Sequence, residues 1–143
     1  MNDPAVALAI ATVLESLSAL AGCSVCAHFE RLVAGQVQPP APEIDLPAVL
    51  VESKSQALAG SQTFATATVE IIVESQVDDD PASVHNARCQ AVLAAMADQS
   101  ALVTAFAAKG ITLRGRPAAV ENNPEIETRA SKAVMTYKVG YAS

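Results

Sequence analysis

The hydrophobic and polar positions change period several times along the chain, and each change marks an element. Residues 64–74 read FATATVEIIVE. Ala65, Ala67, Val69, Ile71 and Val73 fall on one side and Thr66, Thr68, Glu70 and Glu74 on the other, with only Phe64 and Ile72 breaking the polar side. Alternation of period two predicts a strand with one buried face. An acidic run, Asp78-Asp79-Asp80, ends it. Asp80 is suited to cap a helix that opens at Pro81, and Val84, Ala87, Ala91, Val92 and Ala95 supply its apolar stripe.

The remaining segments arrange themselves around this strand and helix. Asp3 and Pro4 open an N-terminal helix of about 18 residues, with Val6, Ile10, Val13, Leu14, Leu17 and Ala21 on one face and Gly22 as its stop. Residues 23–34 fit a strand and a helical turn equally well. Residues 35–46 form a Pro-rich connection that excludes a helix or an interior strand. A short strand is expected over 47–52, then a projecting polar loop over 53–63. Asp98 or Ser100 can cap a further helix over 101–109, built on Leu102, Val103 and Phe106 and ended by Gly110. Residues 111–121 read as a strand broken at Gly115-Arg116-Pro117, 122–127 as a loop, and 129–141 as the last strand, with Ala133, Met135, Tyr137, Val139 and Tyr141 on one side. The order α-β-β-α-α-β-β predicts one α+β domain over residues 1–143: a mainly antiparallel four-stranded sheet with the helices on one face. Thr66, Thr68, Glu70, Glu74, Arg114, Arg116, Thr136 and Lys138 are expected on the other.

Composition narrows the function. The chain has 143 residues, is 51% hydrophobic and only 3% aromatic, and lacks Trp. Its core must be built from small side chains, and the polar sheet face lacks the aromatics on which bases stack. Residues 1–80 hold eleven acids against Arg31 and Lys54, and residues 81–143 hold four acids against seven bases. Opposite charge in the two halves suggests self-association. Three cysteines do not suggest a disulfide framework. Leu20-Ala21-Gly22-Cys23 matches a lipoprotein cleavage pattern, but the first charged residue is Asp3 and a basic start is missing, so export is not expected. No stretch is long enough to span a membrane.

Candidate chemistry is sparse. Cys23-x-x-Cys26 and His85-x-x-x-Cys89 carry residue types suited to tetrahedral zinc, but nothing in the sequence joins the two pairs, and no bound metal is expected. Asp78–Asp80 lacks the glycine and the following glutamate of a calcium loop. No nucleophile motif accompanies His28 or His85, and no glycine loop for phosphate is present. These residues make no case for an enzyme or a cofactor.

The chain resembles the tail terminator (tail completion) proteins of long-tailed bacteriophages and the related head–tail joining proteins. The resemblance rests on LPAVLVE at 46–52, FATATVEIIVE at 64–74, a helix opening with DDPASVHNAR at 79–88, and the strands ITLRG at 111–115 and AVMTYKV at 133–139. It implies a non-enzymatic virion protein, found in the tail or neck and in the host cytoplasm during assembly. Such a protein forms a hexameric ring that stops tail-tube growth and joins the head. Its partners would be copies of itself, the tail tube protein and a head-completion or connector protein, with neither membrane nor sequence-specific nucleic-acid binding. Candidate contact regions are the loops 53–63 and 122–127 and the polar sheet face. From the charge pattern, Glu70, Glu74, Asp78 and Asp79 are expected on the acidic side of a subunit contact, and Arg114, Arg116 and Lys138 on the basic side. The alternative is a small metal-binding or enzymatic α+β domain using the cysteine and histidine pairs.

Overall fold

The computed structural model describes residues 3–27, 30–33, 36–37, 47–57, 64–76, 82–126 and 130–142. The elements run α1 (Asp3–Glu15), a 3-10 turn (Ser18–Leu20), β1 (Ser24–Ala27), β2 (Glu30–Val33), β3 (Gln36–Val37), β4 (Ala48–Ala57), β5 (Phe64–Gln76), α2 (Ala82–Ala97), α3 (Gln99–Ala108), β6 (Thr112–Ile126) and β7 (Ala130–Ala142). This is an α+β fold. The four expected strands are present and pair antiparallel in the order β4-β5-β7-β6. The sheet is larger than expected, however, because β1, β2 and β3 extend it to seven strands in the order β3-β2-β1-β4-β5-β7-β6. It is also mixed, since β1 lies parallel to β4. The ambiguous stretch at 23–34 therefore resolves partly into strands. All four residues of β1 are buried, so the alternation that would have identified it is missing.

The register of β5 follows the sequence pattern. Ala65, Ala67, Val69, Ile71 and Val73 are buried, opposite Ala57, Ser55, Ser53, Val51 and Val49 of β4 and Tyr141, Val139, Tyr137, Met135 and Ala133 of β7. Side chains of this face and of all three helices make up one core. Each buried Val or Ile there contributes about 1.5–3 kcal/mol.

Several boundaries differ from expectation. The first helix stops at Glu15 rather than near Gly22. The amide of Leu17 bonds to the carbonyl of Leu14 at 3.1 Å, and Ser16 Oγ donates to the carbonyl of Val13 at 2.7 Å. The Leu17 bond and the next, from the Leu20 amide to the Leu17 carbonyl at 3.1 Å, are i to i+3 backbone bonds that tighten the chain into the 3-10 turn, and Gly22 follows at φ 85°. Asp98 does cap α3, accepting from the amide of Ala101 at 3.2 Å, and Gly110 ends that helix at φ 78°. Residues 53–57 belong to β4, and 122–126 belong to β6, paired with 131–135. Neither segment is therefore a loop, because backbone pairing with β5 and β7 carries the polar residues along. Of the expected proline-rich connection over 35–46, Gln36 and Val37 instead form β3 at the sheet's edge, paired with β2. Its other residues, the remainder of the expected loops (58–63 and 127), and the Asp78–Asp80 cap with Pro81 lie outside the described residues.

The expected stripe of α2 is rotated. Val84 and Ala87 are exposed, while His85, Arg88, Cys89, Val92, Ala95 and Met96 are buried. The helix turns two long polar side chains inward, toward β5. Among the described residues, no single helix is long and apolar enough to cross a membrane, and α2 and α3 are bent by 74°.

Candidate functional site

Two regions gather the residues singled out by sequence. The first is buried. The alternation of β5 places Ser75 on the core face, where it is fully buried at the strand's end. Its hydroxyl accepts from Arg88 Nη1 at 2.8 Å and is hydrogen-bonded to His85 Nδ1 at 2.9 Å. With the Ser75 oxygen accepting from the guanidinium, its own proton can go to Nδ1. That tautomer leaves the Nε2 proton facing Cys89 Sγ, 3.6 Å away. The positions 85, 88 and 89 share a helical face because they are three and four residues apart.

This cluster is suited to holding α2 on β5, not to nucleophilic catalysis. Burial pushes the Cys89 thiol pKa up, against a smaller lowering by a backbone hydrogen bond. An attacking cysteine needs the opposite shift. A cleft of about 160 Å³ lies beside Cys89, lined by Asn86, Gln90, Leu93, Ala133, Val134 and Met135. His85 and Cys89 are thus brought together, as their spacing suggested. Cys26 is buried in β1 and Cys23 half-buried before it, and all three cysteines are free thiols. Among the described residues, no three of His, Cys, Asp and Glu converge as metal ligands. The sequence reading missed Ser75 and Arg88. The available signal was a serine in phase with the buried side of β5, followed by two nitrogen donors at i and i+3 on the next helix.

The second region is the face of the sheet opposite the helices. Strand register places its side chains in rows across the strands. Glu52 of β4 stands directly opposite Glu70 of β5, and Thr136 of β7 follows. The next row is apolar: Leu50, Ile72 and Val134, all half-buried. Beyond it Glu74 faces Lys132. On the other side of the acidic row, Lys138 stands opposite Thr68, and Arg114 opposite Gly140. Glu70, Lys138, Arg114 and Arg116 are exposed and Glu74 is half-buried. Asp78 and Asp79 lie outside the described residues.

Among the described residues, charges from the two halves of the chain meet on one sheet face. Strand β5 comes from the acidic half and β7 from the basic half, and they are neighbours, with Glu74 and Lys132 in register. Among the described side chains, two groupings of single sign stand out. One is the Glu52–Glu70 pair. The other is at the sheet's edge, where the register shifts between Arg114 and Ala118 and the chain bulges through Gly115 at φ 80°. Arg114 and Arg116 flank that glycine. The break expected at 115–117 is this bulge inside one long strand, and prolines are tolerated there because β6 is an edge strand.

Comparison of the chain with protein-family models gave no match, and neither did comparison with curated proteins.

Proposed function

We propose that this chain is a structural virion protein that caps the tail tube of a long-tailed bacteriophage as a ring, stops tube growth and offers the surface to which the head joins. The observation that carries this reading is the divided sheet. One face is buried under all three helices, and the other bears exposed acidic and basic side chains around a half-buried apolar row. A face of that kind is suited to meeting other proteins, with an apolar centre and a polar surround. The sequence stretches that carry the resemblance to tail terminators, which fall on β4, β5, α2, β6 and β7, support the same reading. The expected ring has six copies, and its other partners are the tail tube protein and a head-completion or connector protein. In this reading the protein has no catalytic residue and needs no cofactor. It is found in the virion neck, and in the host cytoplasm before assembly.

The test is to add the purified chain to polymerising tail tubes of the cognate phage and image their ends by electron microscopy. A ring of this protein on one end of each finished tube is expected. Bare ends at saturating protein would contradict the proposal.

A further inference from the structure

Like charges directly opposite each other on neighbouring strands destabilise a sheet. Glu52 and Glu70 occupy such a position on the open face, beside the apolar row of Leu50, Ile72 and Val134. Lys54 and Lys138 hold the register positions on either side of Thr68 in the next row, and a cationic group arriving from outside would add to the relief of the repulsion. The same chain presents two arginines side by side elsewhere. The β6 bulge begins just after Arg114, which still pairs with Gly140, and takes Gly115 and Arg116 out of register at the sheet's edge; all three are exposed, with half-buried Pro117 next to them. Gly140, opposite Arg114, lets the two strands approach closely, since a Cβ there would sit 3.1 Å from the Arg114 carbonyl oxygen. Guanidinium groups pair with carboxylates through two parallel hydrogen bonds. An arginine-bearing edge and a face with two carboxylates are complementary in charge, and Pro117 offers an apolar surface for the row beside the acids.

We propose that the Arg114–Arg116 bulge of one copy seats on the Glu52–Glu70 row of the next. The contact uses two different patches, so it runs head to tail and can close into a ring. The proposal rests on the ring reading and assigns its subunit interface.

The experiment compares Arg114→Glu/Arg116→Glu with Glu52→Arg/Glu70→Arg in the full chain, by analytical ultracentrifugation at low salt and high protein concentration, with folding checked by circular dichroism. Wild type is expected to form closed rings. Each variant alone is expected to stay monomeric, because every contact then sets like against like. An equimolar mixture is expected to recover rings of alternating subunits, since each variant keeps one native patch and carries one reversed patch that complements its neighbour's. If a double swap fails to fold, the single swaps Arg116→Glu and Glu70→Arg carry the same mixing test. A monomeric wild type, a variant that assembles alone, a mixture that stays monomeric, or one that stops at heterodimers would each overturn the assignment. Tube capping is scored alongside. Capping by wild type without rescue in the mixture removes this contact and leaves the terminator reading. Rescue without capping does the reverse.

Discussion

Ser75 is a small residue with a large share of the polar work in the core. Its single oxygen meets both Arg88 and His85, and a buried donor stripped of its acceptor costs about 1–3 kcal/mol. Ser75→Ala is therefore expected to lower unfolding free energy by roughly that amount in urea titrations. Thr104→Ala removes only an exposed hydroxyl bond to the carbonyl of Ser100 and is expected to stay within about 0.5 kcal/mol of wild type. Equal effects would remove the anchoring role of Ser75. Cys89 gives a pH signature. Burial raises its pKa in the folded chain above the ordinary thiol value of about 8.5. The folded state then holds a proton that the unfolded state has released. Stability should fall as pH rises from about 8.5 toward the raised value, and again above about 10, where buried Tyr137 behaves in the same way. Cys89→Ala should flatten the first part of that decline in thermal melts taken from pH 7 to 10. A decline of unchanged steepness would contradict the assignment. The same site bears on metal binding. His85 and Cys89 supply two ligands where a structural zinc takes four, so elemental analysis of the purified chain is expected to show far less than one zinc per chain. One equivalent, lost in Cys89→Ser, would overturn this.

At the level of elements, β5 is the member whose register matters most. Val69 is fully buried and Thr68 half-exposed on the opposite face. Val69→Asp places an unpaired charge in the core and should prevent folding, while Thr68→Asp should be tolerated by the isolated chain. Equal solubility and melting of the two variants would refute the register. This strand and β7 were legible in the sequence because each has one buried and one open face, which leaves a period-two trace. Gly110 and Asp98 were legible as a helix stop and a cap because their chemistry is local. Strand β1 left no such trace, being buried throughout. Helix α2 misled in a different way: counting apolar residues selected Val84 and Ala87, but the buried hydroxyl of Ser75 pairs with His85 and Arg88, which turn inward. Polar pairing across 10 and 13 residues is a tertiary fact, and periodicity carries no record of it. The loops expected at 53–57 and 122–126 failed for a related reason, since polar composition says nothing about whether a neighbouring strand is there to pair with.

For the whole molecule, the open sheet face was legible as a polar surface, and its candidate residues Glu70, Arg114 and Lys138 do share it. What the sequence could not convey is the order of the rows. Among the described residues, charge that divides along the chain is interleaved in space once β7 inserts between β5 and β6. The arrangement that survives is a pair of glutamates on the face and a pair of arginines at the edge, and the proposed ring is built on both. Contacts of this kind should weaken with salt, since exposed charges are screened over about 8–10 Å near physiological ionic strength. The central claim is that the protein ends tube growth, and tube length measures this most directly. Purified chain added to actively growing tail tubes, with lengths followed by electron microscopy, is expected to halt elongation at the length reached on addition. Tubes that continue to lengthen at the untreated rate, with the folded chain present in excess over tube ends, would contradict the account.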